Sequence, residues 1–232
     1  MNKPFDLIIR DYMERLCYLP KHPDIKLYQD DELFKINTDT EVLGEFLNIY
    51  KEDVVLDMGT NTGALLLYAN LFNPKKLIGL EINSKALELC KKNLDRNNVS
   101  NYELINDNII TYQNELVDVI ICNPPYFKTK EDNKSNDKYK NLAKHESELT
   151  LDLLVKSISR NLKDNGTLFF LYLTSRLDEV VLEFKKNNLT IKEMKFVYDI
   201  NKEYSNVCLF RAVKNSDSGL VVDKPIIIKR DK

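Results

Sequence analysis

From residue 53 onward, short apolar runs alternate with stretches of helical period, and that rhythm restricts the chain more than anything else in it. The runs near 53–57, 77–81, 102–105, 117–122 and 167–173 are rich in Val, Ile, Leu and Phe, as strands buried on both faces must be. The stretches near 63–72, 84–97, 148–163 and 176–187 read as helices. Strand, helix and strand in succession make βαβ units, and a series of these builds a doubly wound, mostly parallel α/β sheet. The rhythm changes at the end. Ile191–Tyr198 and Asn206–Val213 are strands with no helix between them, which predicts an antiparallel hairpin at a sheet edge. With 232 residues, 43% of them apolar, one core and a single domain over 1–232 are expected, with an N-terminal extension over 1–50 and a core over 51–232.

The extension has its own pattern. Leu7, Ile8, Tyr12, Leu16 and Leu19 predict a short amphipathic helix over 5–19. Ile25–Gln29 and Glu32–Ile36 read as a small hairpin around Asp30-Asp31. A helix is expected from Thr40 to about Tyr50, capped by Thr38, Asp39 or Thr40. His22, beside Pro20 and Pro23, reads as a loop residue.

In open parallel sheets, ligands bind beyond the strand ends, so the residues just past each strand carry the chemistry. The run Val54-Val55-Leu56-Asp57-Met58-Gly59-Thr60-Asn61-Thr62-Gly63 is a strand, an acid and a glycine turn entering a helix. Gly59 permits a tight turn and Gly63 close packing of helix on strand. The helix N-terminus favours an anionic group, and Asp57 can pair with a cationic one. A ligand carrying both ammonium and carboxylate fits better than a pyrophosphate, and the spacing is G-x-x-x-G rather than the dinucleotide G-x-G-x-x-G. The next strand, Lys76–Glu81, ends in an acid 24 residues after Asp57. Glu81 either accepts both hydroxyls of a ribose or serves the start of the following helix. Asp107 closes a third strand and either accepts an amino group of adenine or makes an Asx turn.

The fourth strand end is Asn123-Pro124-Pro125-Tyr126, after the apolar run Val117–Cys122. Neither proline has an N–H, so their peptide units offer only carbonyl acceptors. The Asn123 amide oxygen is a second acceptor, and Tyr126 adds an aromatic face. Two acceptors and a plane suit a planar amine, either the exocyclic NH2 of a nucleobase or a side-chain amide. A turn that merely closes the strand is the other reading. Residues 127–147 come next with no periodicity, and up to residue 144 Lys128, Lys130, Lys134, Lys138, Lys140 and Lys144 outnumber Glu131, Asp132 and Asp137. This is either a lid that contacts phosphates, with Tyr139 to stack, or a solvated charged loop.

Glycine turn, ribose acid, adenine acid and Asn-Pro-Pro-Tyr, in that order, resemble the S-adenosylmethionine-dependent amino methyltransferases. The chain is most similar among them to the bacterial tRNA N6-adenine methyltransferases that modify valine tRNA beside the anticodon. Three further stretches carry this: Leu33–Leu43 resembles the family's pre-core motif, His145-Glu146 a pair after its catalytic loop, and Lys224–Ile228 its C-terminal ending. The resemblance spans about Ile25 to Ile228. It implies a Rossmann-like class I methyltransferase that uses S-adenosylmethionine and acts on tRNA. It implies catalytic roles for Asn123, Pro124 and Tyr126. Cofactor contacts would come from Thr38, Asp39, Asp57, Gly59, Asn61, Gly63, Glu81, Ile82, Asp107, Asn108 and Asn123. RNA contacts would come from Pro125, Phe127, Lys128, Lys130, Lys138, Tyr139, Lys140, Lys144, His145 and Arg211. One departure is Asn61, where the family commonly has glycine; asparagine tolerates positive φ better than most residues. A protein-glutamine methyltransferase acting on release factors uses the same tetrapeptide, and a catalytically silent methyltransferase fold that binds RNA is a further alternative.

Composition sets the remaining bounds. A net charge of −2 does not announce a nucleic-acid partner, so any RNA surface must be local. Cys17, Cys90, Cys122 and Cys208 are scattered, with no C-x-x-C pair, and read as free thiols in a reducing cytoplasm. No metal site is expected with two histidines. No secretion signal or membrane span is read, so a cytoplasmic protein is expected.

Overall fold

The computed structural model describes residues 14–125 and 149–229. They fall into two compact units, one ending at Asn108 and one beginning at Ile109.

The first unit opens with an antiparallel hairpin of β1 (Glu14–Leu19) and β2 (His22–Asp30). This corrects two expectations. The described part of the expected helix, 14–19, is a strand, because the turn at Pro20-Lys21, with Lys21 at φ 62°, gives its backbone partners that an isolated short helix cannot supply. Asp30 ends the hairpin rather than turning it. Its side chain accepts from the Glu32 amide (2.8 Å), while Ile36 N–H is taken by the Gln29 side chain (2.8 Å), so Glu32–Ile36 does not pair as a strand. His22 is not in a loop; it starts β2, meets Glu45 at 2.9 Å and packs edge-on against the Tyr68 ring.

Helix α1 (Thr38–Phe46) comes next, and Asn37 caps it by accepting from the Thr40 amide at 3.0 Å. Thr38, Asp39 and Thr40 are therefore inside the first turn, and the helix stops short of Tyr50. The rest of the unit is βαβαβ: β3 (Val54–Met58), α2 (Ala64–Asn70), β4 (Lys76–Glu81), α3 (Ser84–Arg96) and β5 (Tyr102–Asn106). The strands pair in parallel, β3 with β4 and β4 with β5. Val55, Leu56, Leu66, Leu77, Leu80, Cys90 and Leu94 are fully or almost fully buried between strands and helices.

The second unit runs β6 (Val117–Cys122), α4 (Leu151–Asn161), β7 (Leu162–Leu173), a 3-10 turn (Thr174–Arg176), α5 (Leu177–Lys186), β8 (Leu189–Asp199) and β9 (Ser205–Lys214). β6 and β7 are parallel, whereas β9 lies antiparallel to both β7 and β8. This is the expected Rossmann-like class, mostly parallel with a C-terminal antiparallel hairpin. Phe170, Phe184 and Phe210 meet in its core with ring centroids 5.5–6.3 Å apart. Two short strands not foreseen, β10 (Val221–Val222) and β11 (Ile226–Ile228), both run parallel to β8.

Among the described residues, fewer of the left-handed turn positions are glycine than not. Asn61, Asn73, Asn98, Asn165, Asn188 and Asn215 all have φ between 49° and 62°.

Candidate active site

Strand register in the first unit puts the expected donor-side residues on one edge. Asp57 lies opposite Gly79 on β4, and Glu81 opposite Asn106 on β5, so successive strands end side by side. The chain leaves β3 through a turn fastened to its neighbour, with the N–H groups of Gly59 and Thr60 both donating to the Leu80 carbonyl (2.9 and 3.0 Å). Gly59, Asn61 and Gly63 take positive φ of 80°, 49° and 85°. A side chain at Gly63 would begin 2.7 Å from the Cys90 sulfur, so α3 packs against the turn there with no room for a methyl.

Asn61 does more than tolerate its conformation. Its side chain donates to the Phe34 carbonyl (2.6 Å), which ties the 33–43 stretch to the turn. Its backbone N–H donates to Glu81 Oε2 (3.0 Å), and Asn83 N–H donates to Glu81 Oε1 (2.9 Å). Both oxygens of Glu81 are thus aimed by backbone, and each keeps a free lone pair. Asn83 caps α3, accepting from Lys85 and Ala86, and Glu81 steadies that cap through the Asn83 N–H. Asn106, not singled out in the sequence, donates to the carbonyls of Glu81 and Ile82 (2.8 and 2.9 Å) and fixes this strand end. Ile82 is exposed beside it. Asp107 accepts from the adjacent Asn108 N–H at 2.7 Å. Asp39 is buried in the first turn of α1, next to half-buried Thr38.

Asp57 is the electrostatic anomaly. It is fully buried, and neither carboxylate oxygen has a hydrogen-bond partner among the described residues; the buried Thr60 hydroxyl has none either. Burial pushes the Asp57 carboxyl up to about 7, the nearby Thr60 hydroxyl pulls it back without reaching hydrogen-bond geometry, and the Glu81 charge adds to the rise. A buried acid with unused acceptors and a pKa near neutrality is ready to ionise against a cation.

The ligand-free protein should show this in its pH dependence. Between about pH 4 and pH 7 folded Asp57 keeps its proton while the unfolded chain has lost it. Stability from this group is present below pH 4 and falls as pH rises to about 7, with a limiting slope of about 1.4 kcal/mol per pH unit. Urea melts from pH 4 to 8 should show that fall, and Asp57→Asn should remove it. An unchanged slope in the variant would mean the carboxyl is solvated or paired.

In the second unit β6 delivers Asn123-Pro124-Pro125 at its C-terminal end, with Asn123 and Pro125 half-buried and Pro124 buried. Cys122 pairs with Phe170, which anchors the segment in the sheet immediately before the asparagine. Tyr126, Phe127, Lys128, Lys130, Lys138, Tyr139, Lys140, Lys144 and His145 lie outside the described residues. Arg211 is on β9 and bonded to Glu193 at 3.0 Å, so its guanidinium is engaged within the sheet. Among the described residues no cluster of three or more His, Cys, Asp or Glu is placed to hold a metal, and no helix is long and apolar enough to cross a membrane.

Residues 33–198 match the family model of the methyltransferase small domain. No curated protein matches the chain in sequence. Solved structures do. A predicted O-methyltransferase from Agrobacterium tumefaciens is 16% identical with a TM-score of 0.62, over 82% of this chain and 86% of that one. The M. jannaschii tRNA m1G37 methyltransferase is 16% identical with a TM-score of 0.61, over 88% of this chain but only 58% of its own. A ribosomal protein L11 methylase from Lactobacillus delbrueckii is 17% identical with a TM-score of 0.57, over 78% and 81%. At such identities the likeness is one of fold.

Proposed function

The chain belongs to the methyltransferase small domain family and is an S-adenosylmethionine-dependent methyltransferase, and from that premise we propose that it methylates N6 of adenosine in tRNA, at the adenosine immediately 3′ of the anticodon of valine tRNA. The observation that carries this reading is Asn123-Pro124-Pro125 at the end of a buried parallel strand, where the side-chain oxygen and a carbonyl with no competing N–H supply two acceptors. That the same fold serves a tRNA methyltransferase agrees with it.

The donor-side residues fit the cofactor. The unpartnered oxygens of Asp57 suit its cationic end, Glu81 its ribose hydroxyls, Ile82 a face of its adenine, and Asp107 the adenine amino group, with Gly59, Asn61, Gly63, Asn108, Thr38 and Asp39 shaping the surround. When bound, S-adenosylmethionine supplies an electrophilic methyl group carried on a cationic sulfur.

The chain's own part is to prepare the acceptor. The lone pair of an adenine amino group is delocalised into the ring. Asn123 Oδ1 and the Pro124 carbonyl accept its two N–H groups, which favours a pyramidal nitrogen with its lone pair directed outward. That is positioning and electrostatics, the two effects that need no change in the protein during reaction. The nitrogen becomes acidic once alkylated, so its proton can leave to water without a strong base. Tyr126 and Phe127 are proposed to hold the ring by stacking, worth about 1–3 kcal/mol per base, and the lysines from Lys128 to Lys144 to meet phosphates. Anticodon-loop bases are already unpaired, which keeps the cost of extruding one low.

Mass spectrometry of tRNA nucleosides tests this. A strain lacking the protein should lose N6-methyladenosine from valine tRNA, and purified protein should restore it with labelled donor. Unchanged tRNA together with loss of methylated glutamine from a release factor would replace the RNA reading with the amide one.

A further inference from the structure

The β1–β2 hairpin precedes the residues that match the family, which begin at 33, and so looks like an appendage. Its bonding says otherwise. Tyr28 and Lys26, two residues apart on β2, face away from β1 and turn both N–H and C=O toward α3. Asn93 Oδ1 accepts from Tyr28 N–H (2.7 Å) and Nδ2 donates to the Tyr28 carbonyl (3.0 Å). One helical turn on, Asn97 does the same to Lys26, at 3.3 and 2.8 Å. A helix rises about 6 Å in four residues and a strand about 6.7 Å in two, so the two amides match the spacing of strand backbone groups. They substitute for a neighbouring strand along this edge. Lys92, ion-paired to Glu14, also lies 4.1 Å from the Tyr28 ring, and Arg96 bonds the Tyr28 hydroxyl at 3.1 Å.

Besides a carbonyl that accepts from Asn97, Asn93 makes one further side-chain bond among the described residues. Fully buried, it gives its remaining Nδ2 hydrogen to the Thr62 carbonyl (2.9 Å), between Asn61 and Gly63 in the turn. The N–H of the same peptide unit, that of Gly63, donates to Thr60 O at 2.9 Å. A peptide unit is planar, so holding its oxygen and its N–H fixes its orientation. The orientation of this unit sets the shape of the turn.

We propose that Asn93 is a positioning residue for the donor turn, and that through it the hairpin is a working part of the donor site. This rests on the reading of residues 57–63 as that site. Donor binding orders the turn, Asn93 passes the order to Tyr28, and anything that grips or loosens the hairpin changes donor affinity in the same sense.

The two asparagines separate this from simple hairpin anchoring. Calorimetry on the full chain should show Asn93→Ala binding S-adenosylmethionine about tenfold more weakly, the worth of one or two lost hydrogen bonds, with kcat at saturating donor nearly unchanged. Asn97→Ala removes a comparable anchor without touching the turn and should bind within about twofold of wild type. In the wild type, hydrogen exchange at the Tyr28 amide should slow when donor is added, and this reading stands even if Asn93→Ala does not fold. Equal weakening by both variants, wild-type affinity in Asn93→Ala, or Tyr28 exchange indifferent to donor would each overturn the proposal. A wild-type chain that binds neither S-adenosylmethionine nor its demethylated product would overturn the donor-site reading and this inference with it.

Discussion

Replacing Asn123 by alanine is expected to reduce methyl transfer about 10²–10³-fold, the loss expected on removal of one acceptor aimed at a reacting group. Asn123 is half-buried and comes directly after the last residue of β6, so truncation leaves the packing of Val117–Cys122 in place. The melting temperature should therefore move by no more than a few degrees. Donor affinity should stay within a few fold, since Asn123's main assigned role is toward the acceptor nitrogen. Asn123→Asp keeps an acceptor oxygen at the same reach and should retain more activity than alanine. Single-turnover transfer to unmodified tRNA, with donor saturating, is the direct measure. A variant that keeps more than about a tenth of the wild-type rate would remove Asn123 from the chemistry and leave the tetrapeptide as a strand-closing turn.

Gly63→Ala should be strongly destabilising. Two costs act together. The backbone is left-handed, at φ 85°, which costs a side-chain-bearing residue about 1–2 kcal/mol. The new carbon would stand 2.7 Å from the sulfur of fully buried Cys90, and overpacking of that kind costs about 1–3 kcal/mol. For a chain of 232 residues each kcal/mol is roughly 2–4 °C, so melting should fall by about 4–20 °C. Adding Cys90→Ala should recover the overpacking share and none of the backbone share. A single Gly63→Ala variant that melts within a degree or two of wild type would mean that helix α3 does not press on the turn.

The sequence was legible wherever structure is decided locally. A strand ending in an acid and a glycine needs no distant information, and the ends of β3, β4 and β6 lie within a residue of where their apolar runs stop. The extension failed because its pattern is ambiguous at short range. Tyr12, Leu16 and Leu19 repeat at helical spacing, but the partner that makes 14–19 a strand lies beyond the turn at Pro20-Lys21. β10 and β11 are two and three residues long and exist only because β8 offers an edge. Asn93 was invisible for a related reason. In α3 it is one polar residue among many, and its meaning depends on Tyr28, 65 positions away, and Thr62, 31 away. Asn61 stood out in the sequence only as a departure that tolerates positive φ, while its bond to Phe34 required the fold.

The six left-handed asparagines among the described residues bear on the chain before it folds. Glycine at each turn would avoid the native strain, yet it would also widen the range of conformations the denatured chain samples and must surrender. Giving up a glycine's extra freedom is worth about 0.4–1 kcal/mol per site where the native backbone accepts the replacement. A chain with only 6 glycines in 232 residues therefore enters folding with a narrower ensemble at its corners. Its turns are partly chosen in advance, and Asn→Gly changes at Asn73, Asn98 or Asn188 should relax the native corner while enlarging the denatured ensemble, two effects that oppose each other in the measured stability.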